Sequence, residues 1–369
     1  MQYFMESEAG TKAIINKKLV DYFSGCGYFC LQTHPEVVQA ACESTQKYGI
    51  SSATSASIYG NNPVLIDFQE KAAKFFNVPN VLYYVSGCFG TSILLEGLKD
   101  DYDIIFFDSE SHYSSLLATS LVNKTIVVFN HRSAEDLKQK IEENLKPRQR
   151  PMVVCDGIFP ISGEVSPLHH YLEVMNEIEG SSFCVDDAHA TGVIGKNGYG
   201  SYDYFGMKGD NLYSSGTLSK ALGGHGGIIY GDMELMTKLK HKSSLANACS
   251  TIPIPAAAAT TKAFDILHHH PELRTQLWDN VKYVKSELSK LGFEMNNTPV
   301  PIICIGNQKN FNAQRIQEEL FERNIAVTYI GEGGYTSVPK AGAIRIAIFS
   351  GHTMEQLERL IYELKSLLR

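Results

Sequence analysis

The stretch SSFCVDDAHATGVIGKNGYGSYDYFGMKGDNLYSSGTLSKALGGHGGIIYG (181–231) decides the fold of this chain. It contains three short apolar runs, at 181–187, 211–215 and 226–231, which are separated by glycine-rich or helical segments. Continuous apolar runs of this length are typical of strands that are buried on both faces of a mostly parallel sheet. The stretch therefore predicts three neighbouring buried strands with polar residues at their ends.

The same alternation extends toward the N-terminus. Short apolar runs at DIIFF (103–107), TIVVF (125–129) and MVVCDGIF (152–159) also predict buried strands. Amphipathic helical patterns separate the runs, at 65–76, at 133–145 with Ser133 as the N-cap, and at 166–178. Strand–helix alternation of this kind predicts an α/β domain with a mostly parallel central sheet. Ligands of such sheets bind beyond the carboxyl ends of the strands.

The pattern of predicted helices and strands changes after about residue 255. A long helical pattern at 271–292 leads into predicted strands at VPIICIG (300–306), IAVTYI (325–330) and AIRIAIF (343–349). Thr353 and Gln356 then have the spacing of a capping box. We predict an N-terminal segment 1–40, whose hairpin turns at Asn16 and packs with the small domain, a large domain 41–255, and a small α+β C-terminal domain 256–369.

The composition excludes several classes of protein. Of the 369 residues, 44% are hydrophobic and 20% are charged, as in soluble globular proteins and unlike disordered or fibrous chains. A net charge of −7 argues against binding to nucleic acid or to an anionic membrane. No apolar run reaches the roughly 18 residues of a membrane span. The acidic N-terminal residues predict no signal peptide.

The eight cysteines are interpreted as free thiols of a reducing cytosol. They lie at 26, 30, 42, 88, 155, 184, 249 and 304, no CxxC pair occurs, and no ligand set has the spacing of a metal site. We therefore expect a cytoplasmic protein without a bound metal. The basic cluster KLKHK (238–242) is interpreted as a solvated helix end.

Three segments indicate chemistry. SGCFGTS (86–92) lies between a predicted strand and a helix, where backbone N–H groups favour an anion. Asp186, Asp187 and His189 follow a buried strand, although a polar turn would also explain them. Lys220 lies among glycines and hydroxyls, a setting in which a lysine can become a nucleophile, although it could also be a surface residue. The hydroxyls are those of Ser214, Ser215, Thr217 and Ser219.

Taken together, the three segments predict a phosphorylated aldehyde cofactor. The lysine would form an imine with the aldehyde, and a carboxylate would keep a ring nitrogen protonated, so that the ring accepts electrons. The Walker spacing GxxxxGK[ST] is absent, so the sequence does not support a nucleotide P-loop.

The chain resembles the α-oxoamine synthase family of fold type I pyridoxal-phosphate enzymes. VDDAHATGVIG and GTLSKALGGHGG are similar to that family's cofactor motifs. The resemblance is collinear from about Ala13 to Leu368 and includes LQTHPEVVQAA, GIFPISGEVSPL and TSVPKAGAIRIAIFSGHT. It implies pyridoxal 5′-phosphate as the cofactor and the fold type I architecture.

The resemblance also implies roles for individual residues at the cofactor. Lys220 matches the lysine that forms the Schiff base, and Asp186 matches the carboxylate that pairs with the pyridinium nitrogen. His189 matches the residue beside the phenolic oxygen, and His112, in DSESHYSS (108–115), matches the histidine that stacks on the ring. The phosphate ligands are implied to be the backbone amides of Gly87 and Cys88 and the hydroxyl of Thr217.

Two further implications concern the substrate and the subunits. Arg345, in AIRIAIF, matches the arginine that binds the substrate carboxylate, and a guanidinium suits that role because it binds a carboxylate bidentately. Ser250 or Thr251 would reach the phosphate of the neighbouring subunit. The resemblance therefore implies a homodimer with active sites at the subunit interface.

The sequence departs from the family pattern mainly on the substrate side. Cys26 and Gly27, in SGCGYFCL (24–31), replace two amides, and Ala56 replaces an arginine. Leu65 replaces a histidine, and Pro160 replaces a serine. The cofactor is thus more strongly implied than the reaction.

The leading functional prediction is an acyltransferase that condenses an α-amino acid with an acyl thioester and releases carbon dioxide, giving an α-amino ketone. Lys220, His112 and Asp186 would be its catalytic residues. The thioester could be carried by coenzyme A or by a carrier protein. The alternatives are another pyridoxal-phosphate reaction, such as transamination or retro-aldol cleavage, and a catalytically silent partner subunit.

Overall fold

The computed structural model describes residues 2–248, 251–308 and 311–368. The chain forms two compact units. The large unit consists of Pro35–Phe159 and Val165–His268. The small unit consists of the residues up to His34, the segment Pro160–Glu164 and the residues from His269 onward. The ranges 1–40, 41–255 and 256–369 stay a prediction.

The strands of the described residues are β1 (Lys12–Ile15), β2 (Lys18–Tyr22), β3 (Asn80–Tyr84), β4 (Ile104–Asp108), β5 (Thr125–Phe129), β6 (Pro151–Asp156), β7 (Ser182–Asp186), β8 (Leu212–Thr217), β9 (Gly227–Gly231), β10 (Ile302–Gly306), β11 (Ile325–Ala326), β12 (Thr328–Ile330) and β13 (Ala343–Ala347). The helices are α1 (Pro35–Tyr48), α2 (Pro63–Phe76), α3 (Gly90–Gly97), α4 (Tyr113–Thr119), α5 (Ala134–Asn144), α6 (Leu168–Met175), α7 (Ser201–Phe205), α8 (Met233–Lys242), α9 (Ser244–Ala248), α10 (Ile254–His269), α11 (Glu272–Lys290), α12 (Ala313–Glu322) and α13 (Met354–Leu367). Short 3₁₀ turns occupy Leu31–Thr33 and Gly87–Phe89, and one π-helical turn occupies Ala56–Gly60.

The large unit is built around a seven-stranded sheet in the order β3-β9-β8-β7-β6-β4-β5. Strands β4 to β8 pair in parallel, whereas β9 is antiparallel to both β8 and β3. Every residue of β4, β6 and β7 is buried, because apolar clusters with helices α3, α4 and α8 cover one face and clusters with α5 and α6 cover the other. The predicted α/β fold with a mostly parallel sheet is confirmed.

Local signals set the helix ends in this unit. The predicted N-cap Ser133 is confirmed, since its side chain accepts a hydrogen bond from the backbone N–H of Asp136. The basic cluster at 238–242 forms the last turns of α8, where Lys238 and Lys242 pair with Asp101 and Asp100. The predicted helix end is thus confirmed.

The small unit contains two three-stranded sheets. The predicted hairpin is confirmed: β1 and β2 are antiparallel, and Asn16 turns the chain with a left-handed φ of 48°. Strand β2 also pairs in parallel with β11, and the second sheet is antiparallel in the order β10-β13-β12. The predicted capping box of Thr353 and Gln356 starts α13.

One strand prediction for this unit is wrong. The run at 325–330 was expected to be a single strand, but it is divided between the two sheets. Ile325–Ala326 pairs with β2, whereas Thr328–Ile330 pairs with β13. An apolar run specifies burial but not the pairing partner, so the sequence does not reveal this division. Within the described residues, no helix is both long enough and apolar enough to cross a membrane.

Candidate active site

Asp186 lies where the sequence predicts it, at the carboxyl end of the central strand β7. Its side chain is buried, and Oδ1 accepts a hydrogen bond from the N–H of Ala188 at 3.0 Å. No donor among the described residues contacts Oδ2. A buried carboxylate with one oxygen available suits the N–H of a protonated ring.

Lys220 lies three residues beyond the end of β8 and is half-buried. Its Nζ is 2.8 Å from Nε2 of His189, whose side chain is buried. The two residues come from different parts of the chain, and the carboxyl ends of the parallel strands β7 and β8 bring them together. The structure thus joins the predicted amine and the predicted imidazole.

His112 occupies the N-cap of α4. Its Nδ1 accepts a hydrogen bond from the backbone N–H of Ser114 at 3.1 Å, so the proton of the neutral ring is assigned to Nε2. Burial lowers the pKa of His112, while Asp186 raises it and Lys220 lowers it further. The ring is therefore neutral at physiological pH, and its charge is sensitive to both of these site residues.

Asp156 belongs to this cluster although the sequence prediction did not include it. Its carboxylate accepts the backbone N–H of His112, at 3.1 Å and 3.2 Å from its two oxygens. Burial raises the pKa of Asp156 well above its usual range, and the charge of Asp186 raises it further. The signal was present in the sequence, because Asp156 ends strand β6 in the same way that Asp186 ends β7.

The turn Gly87–Phe89 approaches the end of β8 closely. A Cβ atom at Gly87 would lie 2.6 Å from Oγ1 of Thr217, so this approach requires glycine. Thr217 donates its hydroxyl to the carbonyl of Gly226 at 3.1 Å. The turn leads directly into α3, and the first N–H groups of a helix have no partner within it, which suits an anion. Cys88, in the same turn, is exposed.

These residues fit pyridoxal phosphate. The glycine turn that a Cβ would fill can hold the phosphate, the available oxygen of Asp186 can hold a ring N–H, and the amine of Lys220 can join the aldehyde. Across the described residues, no group of three or more His, Cys, Asp or Glu side chains is placed to hold a metal ion.

Arg345 lies in the small unit, on β13, and its side chain is buried. Its Nε donates to the carbonyl of Pro160 at 2.7 Å, and Nη1 donates to the carbonyl of Gly25 at 2.9 Å. Nη2 faces Sγ of Cys26 at 3.6 Å and the hydroxyl of Tyr28 at 3.4 Å. No carboxylate is among the contacts of this cation in the described part of the chain. Its role in binding the substrate stays a prediction.

Ser250 and Thr251 are the residues predicted to reach the phosphate of the neighbouring subunit. Thr251 is in the large unit, where its hydroxyl hydrogen-bonds to Ser52 at 2.9 Å. Thr251 also lines a cavity of about 540 Å³ together with Ala56 and Leu65, two of the positions that depart from the family pattern. Ser250 lies outside the described residues.

Comparison with known proteins shows which family the chain belongs to. The family model for aminotransferase class I and II matches residues 25–364. The 8-amino-7-oxononanoate synthase of Thermoanaerobacter pseudethanolicus is 31% identical, over 96% of this chain and 89% of the relative. The corresponding enzyme of Thermosipho melanesiensis is 32% identical, over 96% and 90%. Serine palmitoyltransferase from S. paucimobilis has the same fold, with a TM-score of 0.91 at 22% identity, over 99% of this chain and 92% of that structure.

Proposed function

The chain belongs to the class I and II aminotransferase family, in its α-oxoamine synthase branch, and on that basis we propose that it is a pyridoxal-phosphate-dependent acyltransferase. It condenses an α-amino acid with an acyl thioester and releases carbon dioxide to give an α-amino ketone. The curated relatives are named as synthases, which favours condensation over transamination or retro-aldol cleavage. The observation that carries the proposal is the amine of Lys220 beside His189, near a second imidazole, His112, whose pKa both Asp186 and Lys220 shift.

Different residues of the large unit are proposed to bind different parts of the cofactor. Lys220 would join the cofactor covalently, Asp186 would accept its ring N–H, and the turn at Gly87 and Cys88 would hold its phosphate with the hydroxyl of Thr217. When bound, pyridoxal phosphate withdraws electrons from the α-carbon of the amino acid. Asp186 would strengthen this withdrawal, because a charged hydrogen bond would keep the ring nitrogen protonated.

Lys220 is proposed to act as a base and His112 as a hydrogen-bond donor. The amine of Lys220 would act as the base that takes the proton from the α-carbon. His189 contacts this amine at 2.8 Å and fixes its position. His112 is protonated at Nε2 and can donate a hydrogen bond to the carbonyl oxygen of the thioester, where negative charge develops.

Arg345 is proposed to bind the carboxylate of the amino acid. A guanidinium that is buried without a carboxylate partner, as this one is among the described residues, leaves its charge available to a ligand. Bidentate pairing with a carboxylate would then orient the α-carbon.

We also propose a cytoplasmic homodimer in which Ser250 or Thr251 reaches the partner's phosphate. The large unit exposes large apolar side chains that suit a subunit interface, at Ile58, Tyr59 and Leu117. The cysteines of the described residues are all free thiols, which suits a reducing compartment.

The test uses the purified protein with pyridoxal phosphate, the common amino acids and either acyl-CoA or acyl-carrier-protein thioesters. The expected result is release of free thiol and carbon dioxide that depends on both substrates, and loss of both in Lys220→Ala. Transfer of the amino group to a keto acid without thiol release would contradict the proposal.

A further inference from the structure

We propose that Cys26 is a positioning residue of the carboxylate site, where its thiol covers the accessible side of the Arg345 guanidinium and controls how tightly the amino acid binds. The inference rests on the proposed function to the extent that Arg345 is the ligand of the substrate carboxylate. It goes further in assigning a role to a residue that departs from the family pattern.

The guanidinium of Arg345 is held on one side by the protein backbone. Its Nε and Nη1 donate to the carbonyls of Pro160 and Gly25 at 2.7 Å and 2.9 Å, which are normal distances for strong hydrogen bonds. These two contacts fix the plane of the group and engage two of its five N–H donors. The donors on Nη2 are then the ones best placed for a ligand.

The two contacts of Nη2 are weak and differ in accessibility. The hydroxyl of Tyr28 is 3.4 Å away, and this side chain is completely buried. The sulfur of Cys26 is 3.6 Å away, and this residue is only partly buried. Sulfur is a weak acceptor, so a carboxylate oxygen would replace it favourably. A ligand therefore reaches Nη2 from the side of Cys26.

The loop that carries Cys26 is fixed on both sides. Gly25 has a left-handed φ of 77°, and a Cβ atom there would lie 3.0 Å from the hydroxyl of Tyr22. A Cβ atom at Gly27 would collide with the side-chain amide of Gln32. The loop therefore cannot accept larger residues at these two positions without shifting. Position 26 is therefore the position in this loop where a substitution can change the contact with Arg345 without a clash at Gly25 or Gly27.

Among the described residues of the small unit, no carboxylate hydrogen-bonds to this guanidinium. Cys304 is the Cα partner of Arg345 on β10, and burial raises the pKa of its thiol to about 11, so it stays neutral at physiological pH. An arginine surrounded by two carbonyls, a thiol and a phenol retains its charge for a ligand. The thiol of Cys26 can accept from Nη2 and donate its own S–H to an incoming carboxylate.

The first experiment compares Cys26→Asp, Cys26→Ser and Cys26→Ala in the holoenzyme. An aspartate at this position would occupy Nη2, so we expect the KM for the amino acid to rise by about 100-fold or more, whereas the KM for the thioester stays within about twofold. Serine can accept and donate in the same way as the thiol, so its KM should stay within about threefold. Alanine should fall between the two. An unchanged amino-acid KM in Cys26→Asp would overturn the proposal.

The second experiment needs no turnover and no variant. Iodoacetamide labelling of the holoenzyme is followed at single cysteines by peptide mass spectrometry, with glycine, L-alanine or L-serine present, and with methylamine, ethylamine or ethanolamine as the matched amines without a carboxylate. We expect at least one amino acid to slow labelling of Cys26 while its amine does not, and exposed Cys42 to react equally throughout. Equal labelling of Cys26 in all conditions would refute the inference. Protection of Cys26 without condensation would refute only the proposed function.

Discussion

Asp156 and Asp186 are direct Cα partners at the carboxyl ends of two adjacent parallel strands, and both side chains are buried. Two carboxylates this close in a buried setting cannot both be ionised without a large electrostatic cost. Burial raises the pKa of Asp156 well above its usual range, and Asp186 raises it further. We therefore expect Asp156 to carry a proton, which leaves Asp186 as the carboxylate proposed to accept the ring N–H.

Because the two carboxylates have different roles, the same substitution should reduce activity much less at Asp156 than at Asp186. Asp156→Asn replaces a neutral acid by a neutral amide that can still accept the N–H of His112, so stability should change by less than about 1 kcal/mol and kcat by only a few-fold. Asp186→Asn removes a charged hydrogen bond of about 1.5–3 kcal/mol, which corresponds to a decrease in kcat/KM of about 10- to 150-fold. Steady-state kinetics and urea unfolding of both variants are the measurements. Equal loss of activity in the two would mean that the charge has been assigned to the wrong carboxylate.

Lys220→Ala should abolish both cofactor attachment and turnover, because no other amine is held against His189 at 2.8 Å among the described residues. Borohydride reduction followed by peptide mapping should place the cofactor mass on the Lys220 peptide of the wild type and on no peptide of the variant. Lys242→Ala is the matched control. That lysine pairs with Asp100 at the end of α8, and its loss should cost at most about 1 kcal/mol and leave turnover unchanged. Retained turnover in Lys220→Ala would rule out this nucleophile.

His352 predicts how the stability of the small unit depends on pH. The ring stacks on Phe23 and Phe349, its Nδ1 accepts the backbone N–H of Phe349 at 2.9 Å, and its Nε2 lies 3.1 Å from the carbonyl of Tyr22. Burial lowers the pKa of His352 to about 4. Because the folded state holds this ring neutral, its contribution is fully present above about pH 6.5 and is lost as the pH falls toward 4, by up to about 3 kcal/mol.

The readout for His352 is the difference between the wild type and His352→Gln in urea unfolding at several pH values. The variant should be less stable at pH 7, because the stacking is lost, but its stability should fall less between pH 6.5 and pH 4. Parallel curves for the two proteins would show that the titration of this ring is not linked to folding.

The capping box at the start of α13 is expected to make a modest contribution to stability. The side chain of Thr353 accepts the backbone N–H of Gln356, and the side chain of Gln356 accepts the backbone N–H of Thr353. Thr353→Ala should lower the free energy of unfolding by about 0.5–2 kcal/mol, whereas Thr353→Ser should be nearly neutral, because serine keeps the hydroxyl. A loss of the same size in both variants would point to the methyl group rather than the cap.

Much of the fold could be predicted because its signals are local. Runs such as that of β6 specify burial on both faces, and Ser133 and Thr353 specify helix starts directly. The division of residues 325–330 between two sheets could not be predicted in this way, since it depends on which distant strand each half meets. The π-helical turn at Ala56–Gly60 likewise had no local signal that we recognised.

In the candidate site, too, local motifs could be recognised, whereas contacts between distant positions could not. Motifs indicated Asp186, His189 and Lys220, and the structure brings the amine and the imidazole together. The position of Asp156 at the end of β6 was visible in the sequence, but its contact with the backbone of His112, 44 residues away, was not. The contact of Cys26 with Arg345 joins positions 319 residues apart, and no spacing rule could have indicated it.

The pairing of β2 with β11 has a consequence for biosynthesis. Asp21 finds its partner Ile325 only after the roughly 300 residues between them have been made, so one edge of β2 must wait uncovered during synthesis. Until then, this open strand edge is available to chaperones. A premature stop codon before position 325 would leave that edge permanently without its native neighbour.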